Sequence, residues 1–303
     1  MSNFNPGSVP GLAGSGIVGP GSQPGEEDGA TLDIFPMPSG MTTFSTPDLP
    51  EPEDAAGLEA GVAALEAVLA ALRAFDGKKN TGATIELAGL DAANLDLVNQ
   101  VLGEGEVSIV GGTRYQAQEA VLAGVWRVRE TGENGEVLRD TVEVAVFPRT
   151  IATTAFAGAK DAVVMPEVLG ANVFNAPPLV TELNEQLGRS GNGSGNGSGD
   201  APGPHVINLS LLPHTQEDLT FLDEVLGRSG LTVLSRGYGN CRIMATATRN
   251  VWWVQYYNSQ DTMILNSIEV VPGAGGVPEV ACAAPEDIAD SAERLEEIVE
   301  VYR

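Results

Sequence analysis

Apolar residues recur at helical spacing along residues 52–75, where Leu58, Val62, Leu65, Leu69, Leu72 and Phe75 share one face. Pro52 opens the stretch and Gly77 stands where a helix would stop. Such a helix either packs on its own domain or offers a groove to a partner. Beyond it the period shortens toward alternation. The pattern predicts strand Ile85–Ala88, helix Ala92–Leu102 capped by Asp91 and ended by Gly103, and strand Val107–Val110. Two strands follow, around Gln116–Arg129 and Thr141–Phe147, with the Asn134-Gly135 pair suited to a hairpin turn.

The same pattern then returns. Ile207–Leu234 (INLSLLPHTQEDLTFLDEVLGRSGLTVL) repeats Ile85–Val110 (IELAGLDAANLDLVNQVLGEGEVSIV) with a short insertion before the helix. Leu95, Val101, Leu102 and Gly103 fall on Leu219, Val225, Leu226 and Gly227, and Val125-Trp126 falls on Val251-Trp252. Thr215 and Asp218 form a capping-box-like start for the second helix. Strands are predicted at Leu231–Ser235, Cys241–Thr248, Val251–Asn258 and Met263–Val271, with a closing helix at Pro285–Tyr302. A period of about 120 residues is too long for a solenoid and points to a duplicated domain.

The predicted fold class is therefore α+β: two tandem related β-α-β-β-β domains with mostly antiparallel sheets and helices on one face. Residues 52–148 make the first domain and 205–303 the second. Residues 149–204 connect them, with a short helix at Leu179–Leu187 and a flexible Gly/Asn/Ser linker, Ser190–Pro204. Residues 1–51 are rich in Gly, Pro and Ser and are expected to be a disordered tail. Within that tail, Ile34–Phe44 (IFPMPSGMTTF) is an apolar cluster that reads either as a strap over the folded body or as a docking motif.

Composition narrows the function. Forty-one acidic against 16 basic residues give a formal charge of −25, which repels nucleic acid and anionic membrane. An acidic surface serves solvation, or a basic partner segment. Cys241 and Cys282 make no disulfide framework, no basic-then-apolar leader is evident, and no long apolar run occurs, so a cytoplasmic protein without membrane insertion is expected.

Candidate chemistry gathers in the second repeat. Cys241 follows the turn Gly237-Tyr238-Gly239-Asn240 and is flanked by Arg236 and Arg242, whose charge would favour a thiolate. It reads as a reactive or metal-binding thiol, or as a small buried strand residue. Cys282, His214 and His205 could join it as ligands, but no two of the four are close in sequence, so a complete internal site is not expected. The run VWWVQYYNSQDTMILNSIEV places Trp252, Val254 and Tyr256 on one sheet face and Trp253, Gln255 and Tyr257 on the other. Either both faces are covered from within, or one is a binding surface.

LLPHTQEDLTFLDEVLG, LSRGYGNCRI, RNVWWVQYYNSQDTMILNSIEV and VPEVACAAPEDIADSAERL closely resemble the C-terminal region of HupH/HyaF-type hydrogenase expression/formation proteins, and PMPSGM with PDLPEPE resembles that family's start. The likeness is strongest over 205–303, thinner over 85–148 and slight in the glycine-rich stretches. It implies an accessory, chaperone-like and non-enzymatic role in maturing an uptake [NiFe]-hydrogenase. The implied partners are a subunit precursor, the small Fe–S subunit favoured, and further maturation proteins. The contact residues expected are Arg236, Tyr238, Asn240, Cys241, Arg242, Trp252, Trp253, Tyr256 and Tyr257, with the first repeat as scaffold. No resident cofactor is expected. The alternative is a carrier of a metal or transient Fe–S cluster using Cys241 and Cys282, with His214 as a further candidate ligand. A third reading makes Cys241 an enzyme nucleophile, which needs a histidine within reach.

Overall fold

The computed structural model describes residues 49–53, 55–76, 82–191, 203–236, 240–273 and 276–303. The Ile34–Phe44 cluster, the stop at Gly77 and most of the Gly/Asn/Ser linker lie outside them. The first half runs α1 (Glu59–Arg73), β1 (Thr84–Glu86), α2 (Ala92–Leu102), β2 (Val107–Gly111), β3 (Tyr115–Glu119), β4 (Val125–Thr131), β5 (Val137–Val144) and α3 (Arg149–Thr154). The second runs α4 (Ala176–Gly191), β6 (His205–Asn208), α5 (Gln216–Leu226), β7 (Leu231–Ser235), β8 (Asn240–Ala245), β9 (Val251–Tyr257), β10 (Met263–Val270) and α6 (Pro285–Val301).

Among the described residues each half thus holds four strands after its inner helix, as the individual strands of the second half predicted, whereas three were expected in the first. In the first half the stretch Gln116–Arg129 breaks at Ala120–Gly124. Ala120 N donates to Val125 O at 2.7 Å, and Gly124 takes φ +75°, a turn that favours glycine. The connector helix begins at Ala176 rather than Leu179, because Pro177 and Pro178 sit in a first turn that needs no intrahelical donor.

The ten strands among the described residues form one sheet in the order β1-β5-β4-β3-β2-β7-β8-β9-β10-β6, every ladder antiparallel. The halves meet edge to edge, Ile109 opposite Val233, and the order reads alike outward from that seam. The protein is accordingly α+β, with a large antiparallel sheet and helices.

Residue alternation fixes what each face buries. Val125, Val142 and Val144 join Leu65, Leu69, Val98 and Val101 of α1 and α2 in one core. Trp126, Val128, Ile109, Val233, Ile243, Trp252 and Val254 point the other way and join Ile151 and Phe156 around α3. Helices therefore lie on both faces, not one.

The chain ends cross over. Helix α6, expected to close the second repeat, buries Ile288, Leu295 and Val299 in the first-half core, each contributing roughly 1.5–3 kcal/mol. Tyr302 Oη donates to Pro50 O at 2.9 Å, and Ala283 N donates to Val146 O at 2.8 Å. Reciprocally, the chain after α3 reaches the second half: Phe156 meets Trp252 edge-on at 5.2 Å, and Lys160 N donates to Ala247 O at 2.9 Å.

Candidate functional site

Of the contact residues expected in the second half, Cys241, Arg242, Trp252 and Trp253 prove to be interior. Trp252 and Trp253 are 0% and 3% exposed. Trp252 donates from Nε1 to Gly276 O at 2.9 Å, and Trp253 to Asn266 Oδ1 at 2.6 Å. Neither offers a contact surface, because both sheet faces are covered here. Gln255 is fully buried and accepts from Tyr257 Oη at 2.9 Å, while the Arg242 guanidinium lies 5.7 Å from the Tyr257 ring. Tyr256, Tyr257, Asn240 and Arg236 keep partial exposure, and Asn240 reaches Asp261 at 3.5 Å. Tyr238 lies outside the described residues.

The thiols sit in environments that oppose ionisation. Cys241 is 4% exposed, and burial pushes its thiol up to about 12 against a hydrogen bond from Tyr256. Burial does the same to Cys282, helped by the negative charge of Glu279 and Glu119, and its Sγ lies 3.6 Å from Pro278 O. His205 pairs with Glu182 at 2.7 Å. Among the described residues the two buried ring nitrogens of His214 have no hydrogen-bond partner, and desolvation holds its pKa below the usual imidazole value. Among the described residues no three His, Cys, Asp or Glu side chains are grouped to hold a metal ion. The flanking arginines do not make Cys241 a thiolate, because depth in the sheet outweighs them.

A different joint was only partly visible beforehand. Asp218, fully buried, accepts from Thr215 N at 3.0 Å in the capping box of α5. Its other oxygen accepts from Phe174 N, Asn175 N and Ala176 N at 2.8, 2.9 and 3.0 Å, which fastens the start of α4. Burial alone would raise this carboxyl, but the four backbone donors outweigh it and hold it below the usual value. Asn94 occupies the matching place in the first half, where its Oδ1 accepts from Gly61 N of α1 at 2.7 Å. A Cβ on Gly61 would stand 2.9 Å from Asn94 O, so this close approach of α1 and α2 needs glycine.

The Asp218 joint holds up an exposed apolar segment. Val164, Met165, Val168, Leu169 and Phe174 are 65, 37, 83, 41 and 66% exposed. Leu211 and Leu212, 80 and 39% exposed, stand beside its end, where Asn175 Nδ2 donates to Pro213 O at 2.8 Å. Thr215 Oγ1 donates to Asn172 O at 2.8 Å, and Asn184 brackets Val163 through both N–H and C=O. A fixed apolar surface of this kind is unusual on a folded protein without a partner. The apolar run VVMPEVLGANVF was its sequence signal, passed over as connector.

A second opening lies in the first half. A groove of about 630 Å³ runs beside the C-terminal end of α2, over Ser108 and Val110 of β2, Gln116 and Gln118 of β3, and Arg127 and Arg129 of β4. Arg127 forms a two-pronged ion pair with Asp140 and also bonds Asn99.

This is an α+β protein with a large antiparallel sheet, an exposed apolar segment and an open groove among its described residues. The sequence profile described as the HupH hydrogenase expression protein, C-terminal conserved region, matches residues 59–167 and 173–302. The chain is 45% identical over 287 residues to the hydrogenase expression/formation protein HoxQ of Cupriavidus necator, covering 93% of this chain and 95% of that one. It is 42% identical over 288 residues to HupH of Rhodobacter capsulatus, covering 94% and 96%. To the hydrogenase-1 operon protein HyaF of Escherichia coli it is 30% identical over 289 residues, covering 93% and 94%. The chain belongs to the HupH hydrogenase expression/formation family. As an accessory protein of hydrogenase maturation it has no helix, among the described residues, long and apolar enough to cross a membrane.

Proposed function

We propose that this protein binds a hydrogenase subunit precursor, the small Fe–S subunit favoured, and holds it without catalysis in the cytoplasm until assembly and export. The observation that carries this is the exposed apolar segment Val164–Phe174 with Leu211 and Leu212. It is fastened at its base by a buried carboxylate, so its side chains stay presented to a client instead of collapsing onto the body. The formal charge of −25 suits a client with basic segments and keeps a protein with exposed apolar surface soluble. The relatives' names as expression/formation proteins support the hydrogenase as the client's source.

We also propose that the chain is a duplicated unit, two tandem related domains fused through the β2–β7 seam. The matched roles of Asn94 and Asp218, the matched positions of Trp126 and Trp252, and the mirrored strand order support it. The carrier reading with Cys241 and Cys282 draws no support from thiols whose ionisation burial opposes.

The test is a strain whose only copy carries Phe174→Asp and Leu211→Asp. Both sites are exposed, so the variant folds and accumulates. The expected outcome is loss of hydrogenase activity with build-up of unprocessed precursor. Full activity in that strain would overturn the proposal.

A further inference from the structure

The two halves provide an internal comparison. On the sheet face that α2 shares, Arg127 and Arg129 occupy the positions that Trp253 and Gln255 hold in the second half, each counted from the matched tryptophans Trp126 and Trp252. Asp140 likewise matches Asn266, two residues before the strand partners Val142 and Ile268. In the second half the indole of Trp253 is buried against Asn266 and the place is closed. In the first half two guanidinium groups stand there and the groove of about 630 Å³ remains open. That is within the range of pockets that take a drug-sized group or a few residues of extended chain.

The groove's polar groups are not equally occupied. Gln118 donates to the carbonyls of Gly105, Val107 and Glu119 and accepts from Ser108 Oγ at 2.6 Å. Arg127 claims both oxygens of Asp140. Arg129 is left with Asp140 at 3.6 Å, beyond hydrogen-bond reach, and its side chain is 44% exposed. Gln116, directly across the ladder from Arg129, makes no side-chain hydrogen bond among the described residues. Val110, across from Gln116, is 37% exposed. Glu104 on the wall has an interaction of its own. A row of a loosely paired cation, an amide and an apolar side chain therefore lies open across three adjacent strands.

We infer that this groove binds an extended peptide segment of the client in which a carboxylate side chain stands beside apolar ones. The carboxylate pairs with Arg129, Gln116 bonds the peptide backbone, and an apolar neighbour covers Val110. In a chain of net charge −25 such an arginine-lined cleft selects acidic–apolar segments, whereas the surrounding surface favours basic ones. The inference rests on the proposed client-binding function and places a second, sequence-selective contact in the first half.

The probe is a fluorescein-labelled peptide with Asp between two Leu residues, titrated into the full-length protein and followed by anisotropy. Saturable binding that weakens with salt is expected. Arg129→Glu and Val110→Trp each lower affinity at least about tenfold, the equivalent of one lost charge-assisted bond. Arg114→Gln, on the opposite face and paired with Glu130, leaves it unchanged. No binding to the wild-type protein, equal binding of a Lys-containing peptide, or indifference to both groove variants would each overturn the inference. Capturing the whole precursor with the same proteins separates the two readings. A precursor that binds wild type and Arg129→Glu equally removes the groove and keeps the client. A precursor that binds neither removes both.

Discussion

Replacing Asp218 tests whether a single carboxylate ties α5 to α4 and so presents the exposed segment. Asp218→Ala deprives Thr215, Phe174, Asn175 and Ala176 of the acceptor for their N–H groups. A hydrogen bond to a charged group contributes about 1.5–3 kcal/mol, and simple addition over four would overshoot, since a frayed α4 start can be rehydrated. The expected cost is roughly 3–5 kcal/mol, near that of removing one partner from a buried charged pair. Asp218→Asn keeps one acceptor oxygen and turns an amide donor toward the backbone donors at the other, so it costs about half as much. The acid limb gives a sharper check. The folded carboxyl is held below its unfolded value of about 3.9, so its contribution is complete above that pH and disappears as pH falls through the folded value. The stability gap between wild type and Asp218→Asn, measured by urea unfolding at a series of pH values, must therefore shrink toward acid. Asn94→Ala, the uncharged counterpart, should cost about 1–2 kcal/mol, and since its amide also donates to Asp91 and helps hold that exposed carboxyl down, its acid dependence comes from Asp91 alone. A cost below about 1 kcal/mol for Asp218→Ala, or a gap that holds constant into acid, would refute the reasoning.

Glu119 makes the opposite case. Burial pushes it up to about 7 despite a bond from Gly124 N, so the folded state binds the extra proton and stability declines as pH climbs from about 4.5 toward 7. Glu119→Gln should gain on wild type over that window, by up to about 3 kcal/mol, and parallel pH profiles would contradict the assignment. Both thiols should resist Ellman's reagent in the native protein by at least about a hundredfold relative to the urea-unfolded chain, read at 412 nm; rapid native reaction would show a thiolate that the burial forbids. Trp252→Ala should cost about 3–5 kcal/mol as a core cavity, and Trp253→Phe about 1–2 kcal/mol for the lost bond to Asn266. Near-neutral unfolding midpoints for both would return them to the surface.

Local pattern made much of this fold legible. The capping residues Asp91 and Thr215, the glycines that end α2 and α5, and the alternating strands all lie where periodicity puts them. The aromatic run on β9 left open whether both sheet faces are covered or one binds a partner; both are covered, and which segments supply the cover is a long-range matter. Nothing local to Pro285–Val301 says that Ile288 and Leu295 belong over Val125 and Val142, or that Phe156 belongs on Trp252. The seam between Ile109 and Val233 is equally silent, since an edge strand and a central strand of this length look alike in sequence. The site was misjudged for a related reason. Rare residue types drew attention to Cys241, Trp252 and Trp253, whereas rarity here marks core. The open places are where the first half has Arg127 and Arg129 in place of bulk, and where a nominal connector carries Val168 and Phe174 into solvent.

The central claim is that this protein holds a hydrogenase subunit precursor. The full-length tagged chain should be mixed with separately produced small- and large-subunit precursors and recovered. Recovery of the small-subunit precursor, and not of the mature assembled enzyme, is the predicted result. Recovery of neither precursor would contradict it.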